Sequence, residues 1–161
     1  MAHTHTHHEG HGHVTHDASW GTAVSATLHC LTGCAIGEVL GMVLASWWGW
    51  STWPSVTLAV ALAFVFGYAL TMWSVLRAGL AFGAALQVAL AADTVSIAVM
   101  EVVDNTVMVG VPGAMEAGLT SWLFWAALAF SLAVAFVLTV PVNRWMIGRG
   151  KGHAAVHRYH H

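Results

Sequence analysis

Charge is what this sequence has least of: its 161 residues include five Lys or Arg and seven Asp or Glu. A soluble domain carries roughly 25% charged residues because its surface must face water. Here charged residues make up 7% and hydrophobic ones 58%. A water-covered globular surface is thereby excluded, and lipid is the expected solvent for most of the chain. Charge is missing altogether from Val39 to Leu76 and again from Ala117 to Asn143. Cysteine is almost as rare. Cys30 and Cys34 lie four apart within one apolar segment, so they are expected as free thiols or thiolate ligands rather than a disulfide. The polar, His-rich start lacks the basic, apolar and cleavage regions of a signal peptide, and none is expected. Nothing resembles a nucleophile with its base and orienting group, so no enzymatic activity is expected, and no nucleic-acid partner.

What is abundant is apolar length. A helix needs about 20 apolar residues to cross a bilayer. The first charge-free run exceeds one crossing and breaks at the Trp-rich, turn-like stretch Gly49-Trp50-Ser51-Thr52-Trp53-Pro54. Helices are therefore expected near Thr22–Ser46, Pro54–Leu76, Leu80–Val111 and Ser121–Asn143. The third is longer than a crossing requires and either tilts or leaves the membrane around Val109–Gly113. The fold class is an all-α, integral membrane four-helix bundle over residues 21–147. Disordered His-rich tails are expected at 1–20 and 148–161. All five basic residues, Arg77, Arg144, Arg149, Lys151 and Arg158, fall between helices two and three or after helix four. Basic loops prefer the cytoplasm, so both termini are expected there.

The tails carry most of the histidine. His3, His5, His7, His8, His11, His13 and His16 precede the first helix, and His153, His157, His160 and His161 end the chain. Neutral imidazole binds zinc, nickel and copper, so a metal-collecting role is expected beside the plainer reading of solvated polar tails.

Polar groups also interrupt the apolar helices. Cys30, Gly33, Cys34, Gly37, Glu38 and Gly41 follow i, i+3, i+4 spacing and share one face of helix one, with His29 at its edge. Glycines four apart let two backbones approach closely, which explains Gly33, Gly37 and Gly41 as packing but leaves Glu38 unexplained. A carboxylate in the bilayer costs a few kcal/mol and is usually functional. On helix three, Asp93, Ser96, Ile97, Met100, Glu101, Asp104 and Met108 trace a second face, with no Lys or Arg in that helix. Such acids must be protonated, bind a cation or line water. Turned inward together, the two faces form one cleft of His, Cys, Met and carboxylate groups. Its candidate metal ligands are His29, Cys30, Cys34, Glu38, Asp93, Met100, Glu101 and Asp104. Soft sulfur and imidazole donors fit copper or zinc better than magnesium or calcium. A Met-x-x-x-Met pair is absent, which weakens the case for copper.

The segments His29-Cys30 through Gly33-Cys34 to Gly37-Glu38, Phe66-Gly67-Tyr68-Ala69-Leu70, and Ala92-Asp93-Thr94 through Met100-Glu101 to Asp104-Asn105 form a distinctive set. With Pro141-Val142-Asn143-Arg144-Trp145, they resemble a family of small bacterial four-helix membrane proteins known as a domain of unknown function. The resemblance spans roughly Thr27 to Gly150. It implies the membrane fold and marks the polar positions as that family's pattern, and it implies no activity.

The leading functional expectation is a bacterial inner-membrane protein that binds and transports a transition metal ion, copper or zinc. Its partners would be the bilayer, the ion and further copies of itself, since four helices are few to enclose a path. A proton or cation channel, with Glu38, Asp93, Glu101 and Asp104 as relay, is the first alternative. A non-catalytic subunit of a membrane assembly is the second.

Overall fold

Ser19 stands where an apolar run begins, and its hydroxyl accepts a hydrogen bond from the Thr22 amide at 3.2 Å, satisfying one of the amides a helix start leaves open. From that cap the chain, a computed structural model describing residues 19–77, 79 and 81–149, runs through four helices. They are α1 (Trp20–Trp47), α2 (Thr52–Arg77), α3 (Phe82–Gly110) and α4 (Trp122–Gly148). No strand occurs among the described residues. Gly49 takes the left-handed conformation, with φ 66°, just past the end of α1, where a side chain would be strained. Pro112 follows the end of α3 by two residues, and Ser121 caps α4 by accepting from the Leu123 amide. The third helix therefore ends at Gly110, one residue short of the expected Val111, and Val111–Gly113 already belong to the connection.

Three helices are long and apolar enough to cross a membrane by themselves. α3 bends by 41° between Phe82–Ala91 and Asp93–Gly110, and its two parts taken as one span make a fourth. Thr94 lies just past the bend and donates its hydroxyl to the Leu90 carbonyl at 2.5 Å. That competes with the backbone ladder and tends to bend helices. The nine Trp residues mark two belts. Trp20, Trp73 and Trp145 lie at the end of the bundle that holds both described chain ends. Trp47, Trp48, Trp50, Trp53, Trp122 and Trp125 lie at the other, and all nine are exposed. Amphipathic rings at two levels, with an apolar band between, suit a bilayer. The chain is a multi-pass membrane protein.

One helix end departs from expectation. Arg144 looked like a boundary after Asn143, yet α4 continues to Gly148. The reason is local. Arg144 lies 4.2 Å over the Trp20 ring and Arg149 lies 4.1 Å over Trp145, so both charges rest on exposed Trp rings at the end of the bundle. Arg77 over Trp73, at 4.7 Å, completes the set at the same end.

The glycine stripe of α1 packs on α2, not on α3. A Cβ at Gly33 would meet the Gly67 Cα at 2.7 Å, one at Gly41 would meet the Ala59 Cα at 2.5 Å, and one at Gly37 would run into the Ala63 backbone. These are antiparallel partners in one register, and α2 answers with its own small residues four apart, Ala59, Ala63 and Gly67. This approach fixes the α1–α2 pair at backbone contact and turns the neighbouring arc of α1, about 60° round the helix, toward α3.

Candidate functional site

That arc carries Cys30, Cys34 and Glu38, one turn apart, and each meets an acid of α3. The Cys30 thiol donates to Asp93 Oδ1 at 3.8 Å. Cys34 lies beside Glu101, and Glu38 beside Asp104. The two helices run parallel, so the pairs form three rungs along one interface. All four acids are deeply buried: Glu38 is 6% exposed, Asp93 0%, Glu101 4% and Asp104 3%. Neither oxygen of Glu38 or of Glu101 has a hydrogen bond of good geometry among the described residues.

The remaining expected ligands flank this ladder. Met100 is buried in one core cluster with Cys30, Cys34 and Ile97. His29 is half-buried against the Leu70 backbone, beside the first rung and nearer the described chain ends. The tail histidines His3, His5, His7, His8, His11, His13, His16, His153, His157, His160 and His161 lie outside the described residues. Both cysteines are free. Helical spacing suggested one buried cluster of Cys34, Glu38, Asp93 and Glu101. Cys34, Glu38 and Glu101 lie within electrostatic reach of one another, while Asp93 is paired with Cys30 one rung away. Successive rungs on α1 are four residues, about 6 Å, apart. Among the described residues no three His, Cys, Asp or Glu side chains form a group able to hold a metal ion.

Several supporting groups were not picked out beforehand. Ser131 of α4 hydrogen-bonds to Asp104, and Thr71 of α2 lies beside Asp93. Asn143 Nδ2 donates to the Thr27 hydroxyl at 2.8 Å, and that hydroxyl donates to the Ala23 carbonyl at 2.7 Å, which ties α4 to α1. The available signal was spacing: Ser131, Ala135, Thr139 and Asn143 are four apart and all buried, a small and polar stripe on the most apolar helix. Ser96, beside Cys30, was already on the predicted face.

The arrangement can hold protons or cations in steps, since each rung offers an oxygen and the first two also offer sulfur. Among the described residues no Lys or Arg belongs to it to neutralise the acids. The family model described as a domain of unknown function, DUF4396, matches residues 19–152. No curated protein and no solved structure matches.

Proposed function

This chain belongs to the DUF4396 family, and since that membership brings no activity with it, we propose from its residues that it carries a transition metal ion, copper or zinc, across a bacterial cytoplasmic membrane. The observation behind this reading is the ladder. Three thiol or carboxylate groups of α1 each face a buried acid of α3, and two of those carboxylates have no hydrogen bond of good geometry. A buried charge without a basic partner costs a few kcal/mol in the bilayer, and a passing cation removes that cost. Thiols select soft or borderline ions. In this proposal the tail histidines gather the ion, His29 and Cys30 receive it, and the rungs at Cys34 and Glu38 pass it on. Four helices are few to surround such a path, so the working unit is a homo-oligomer, and its role is carriage rather than catalysis.

Proton conduction is the second reading, favoured by one observation: the donors stand in pairs, which suits a relay better than a chelate. Proteoliposomes containing the full chain separate the two. With zinc- or copper-sensitive dye inside, metal entry above that of empty vesicles is expected. Proton leak without entry of either metal would sink the metal reading and leave the relay.

Orientation is part of the proposal, because Arg77, Arg144 and Arg149 lie at the end that holds the described chain ends and basic ends face the cytoplasm. A fluorescent protein that matures only in the cytoplasm should light up when fused to the C-terminus. A phosphatase active only in the periplasm should stay silent there. The reverse pattern would overturn the assignment.

A further inference from the structure

The third rung of the ladder does more than end it. Glu38 and Asp104 also line a cavity of about 30 Å³ at the end of the bundle remote from the described chain ends. A space of roughly 10–15 Å³ already admits one water, so this one takes a water or a desolvated ion and little else. Its walls hold Met42 from α1, Met108 from α3 and Met115 from the 111–121 connection, with Asn105 beside Asp104. Three of the chain's seven methionines therefore reach one small cavity from three separate segments, and all three belong to one packed cluster.

Methionine is a common filler of irregular cores, and packing alone would account for the sulfurs. It does not account for what they surround. Glu38 is 6% exposed, lines the same cavity beside Asp104, and has no hydrogen bond of good geometry at either oxygen among the described residues. Thioethers are weak acceptors with no proton to give, so they offer the Glu38 carboxyl no hydrogen-bond partner. A cation can serve both. Thioether sulfur selects copper(I), whereas zinc takes thiolate, imidazole and carboxylate.

We propose that Met42, Met108 and Met115, with Glu38 behind them, form a binding site for a soft monovalent cation, copper(I), at this outer mouth of the ladder. The proposal rests on the reading of the ladder as a cation route, and it names the ion and the place where it binds or leaves. Asp104, held by Ser131, lines the same cavity beside Glu38, and Glu101 is the next carboxylate inward.

The test uses the full chain in detergent micelles, with ¹³C-labelled methionine methyls, titrated with silver(I) as a redox-inert, diamagnetic stand-in. The methyl signals of Met42, Met108 and Met115 are expected to shift together and saturate together, while Met72 and Met146 stay in place. Met42→Leu, close in shape, should abolish the shift of the other two, and Glu38→Gln should weaken silver binding by about tenfold or more. Three unmoved methyls at excess silver, or shifts that survive Met42→Leu unchanged, would overturn the site. Because the wild-type titration needs no variant, a misfolded mutant cannot rescue or sink the idea. Copper entry into vesicles, measured on the same preparation, keeps the two proposals apart. Concerted methyl shifts without metal entry remove the transport reading and leave this site, whereas metal entry without shifts does the opposite.

Discussion

Gly37→Leu is expected to abolish assembly of the bundle, while Ala35→Leu, two residues away, leaves it folded. At position 37 even a Cβ would overlap the backbone of Ala63 and stand 2.5 Å from the Leu62 carbonyl carbon. Backbone cannot rotate aside as a flexible side chain can. The helices would have to separate along the whole stripe, at Gly33–Gly67 and Gly41–Ala59 as well. Overpacking a well-filled core costs about 1–3 kcal/mol, and here the loss is expected above that range. Separation also releases the neighbouring arc, so the ladder to α3 goes with it. Ala35 is half-buried and shares an open outward surface with Ile36, Val39, Leu40 and Val43, where lipid or a neighbouring copy accommodates a larger side chain. Yield and thermal midpoint in detergent check this directly: Gly37→Leu should aggregate on extraction, and Ala35→Leu should elute and melt like the wild type. Matching behaviour of the two variants would remove the close-approach account.

Much of this architecture is readable from residue order, and the limits have physical causes. The charge-free runs place the crossings because lipid tolerates almost no unpaired charge. Helical spacing places Cys30, Cys34 and Glu38 on one side of α1, and Asp93, Glu101 and Asp104 on one side of α3. Spacing describes a circle, however, and not its neighbours. The arc of α1 is divided, with glycines against α2 and donors against α3, and only the packed helices reveal where one neighbour ends and the other begins. Arg144 misplaced the end of α4 because a charge at the membrane edge can stay helical when a ring such as Trp20 receives it. Ser131 carried little signal, since a hydroxyl inside an apolar helix commonly bonds its own backbone, as it also does here at the Leu128 carbonyl. Met108 was legible on the polar face of α3, but its neighbours Met42 and Met115 carry no Met-x-x-x-Met signal, because the three come together across separate segments and not along one helix.

The middle rung gives the second large effect, through Glu101→Gln and Cys34→Ser. Glu101 is 4% exposed, and neither of its carboxylate oxygens has a hydrogen bond of good geometry among the described residues. A carboxylate held there costs about 2.5 kcal/mol or more, and a bound cation recovers most of that. Glutamine keeps the shape and removes the charge. Ion binding should then weaken on the order of 50- to 100-fold, at 1.4 kcal/mol per factor of ten. The ion-free protein should become more thermally stable, since an amide is easier to bury. Opposite signs for binding and stability identify a functional carboxylate, because a residue kept for packing would lower stability or leave both unchanged. Cys34→Ser separates the two readings of the ladder. A hydroxyl can still pass a proton but is a poor ligand for a soft ion. Copper(I) binding should therefore fall steeply in this variant while proton conduction, if that is the activity, continues. Calorimetric titration of copper(I) and zinc into the full chain and both variants, compared as differences so that the histidine tails cancel, measures these changes. Thiolates and carboxylates must lose protons to take a metal, so the wild-type affinity should also decline as pH falls. If both variants bind like the wild type, the rung holds no ion. If Cys34→Ser alone is silent and Glu101→Gln stops vesicle proton flux, the ladder conducts protons instead.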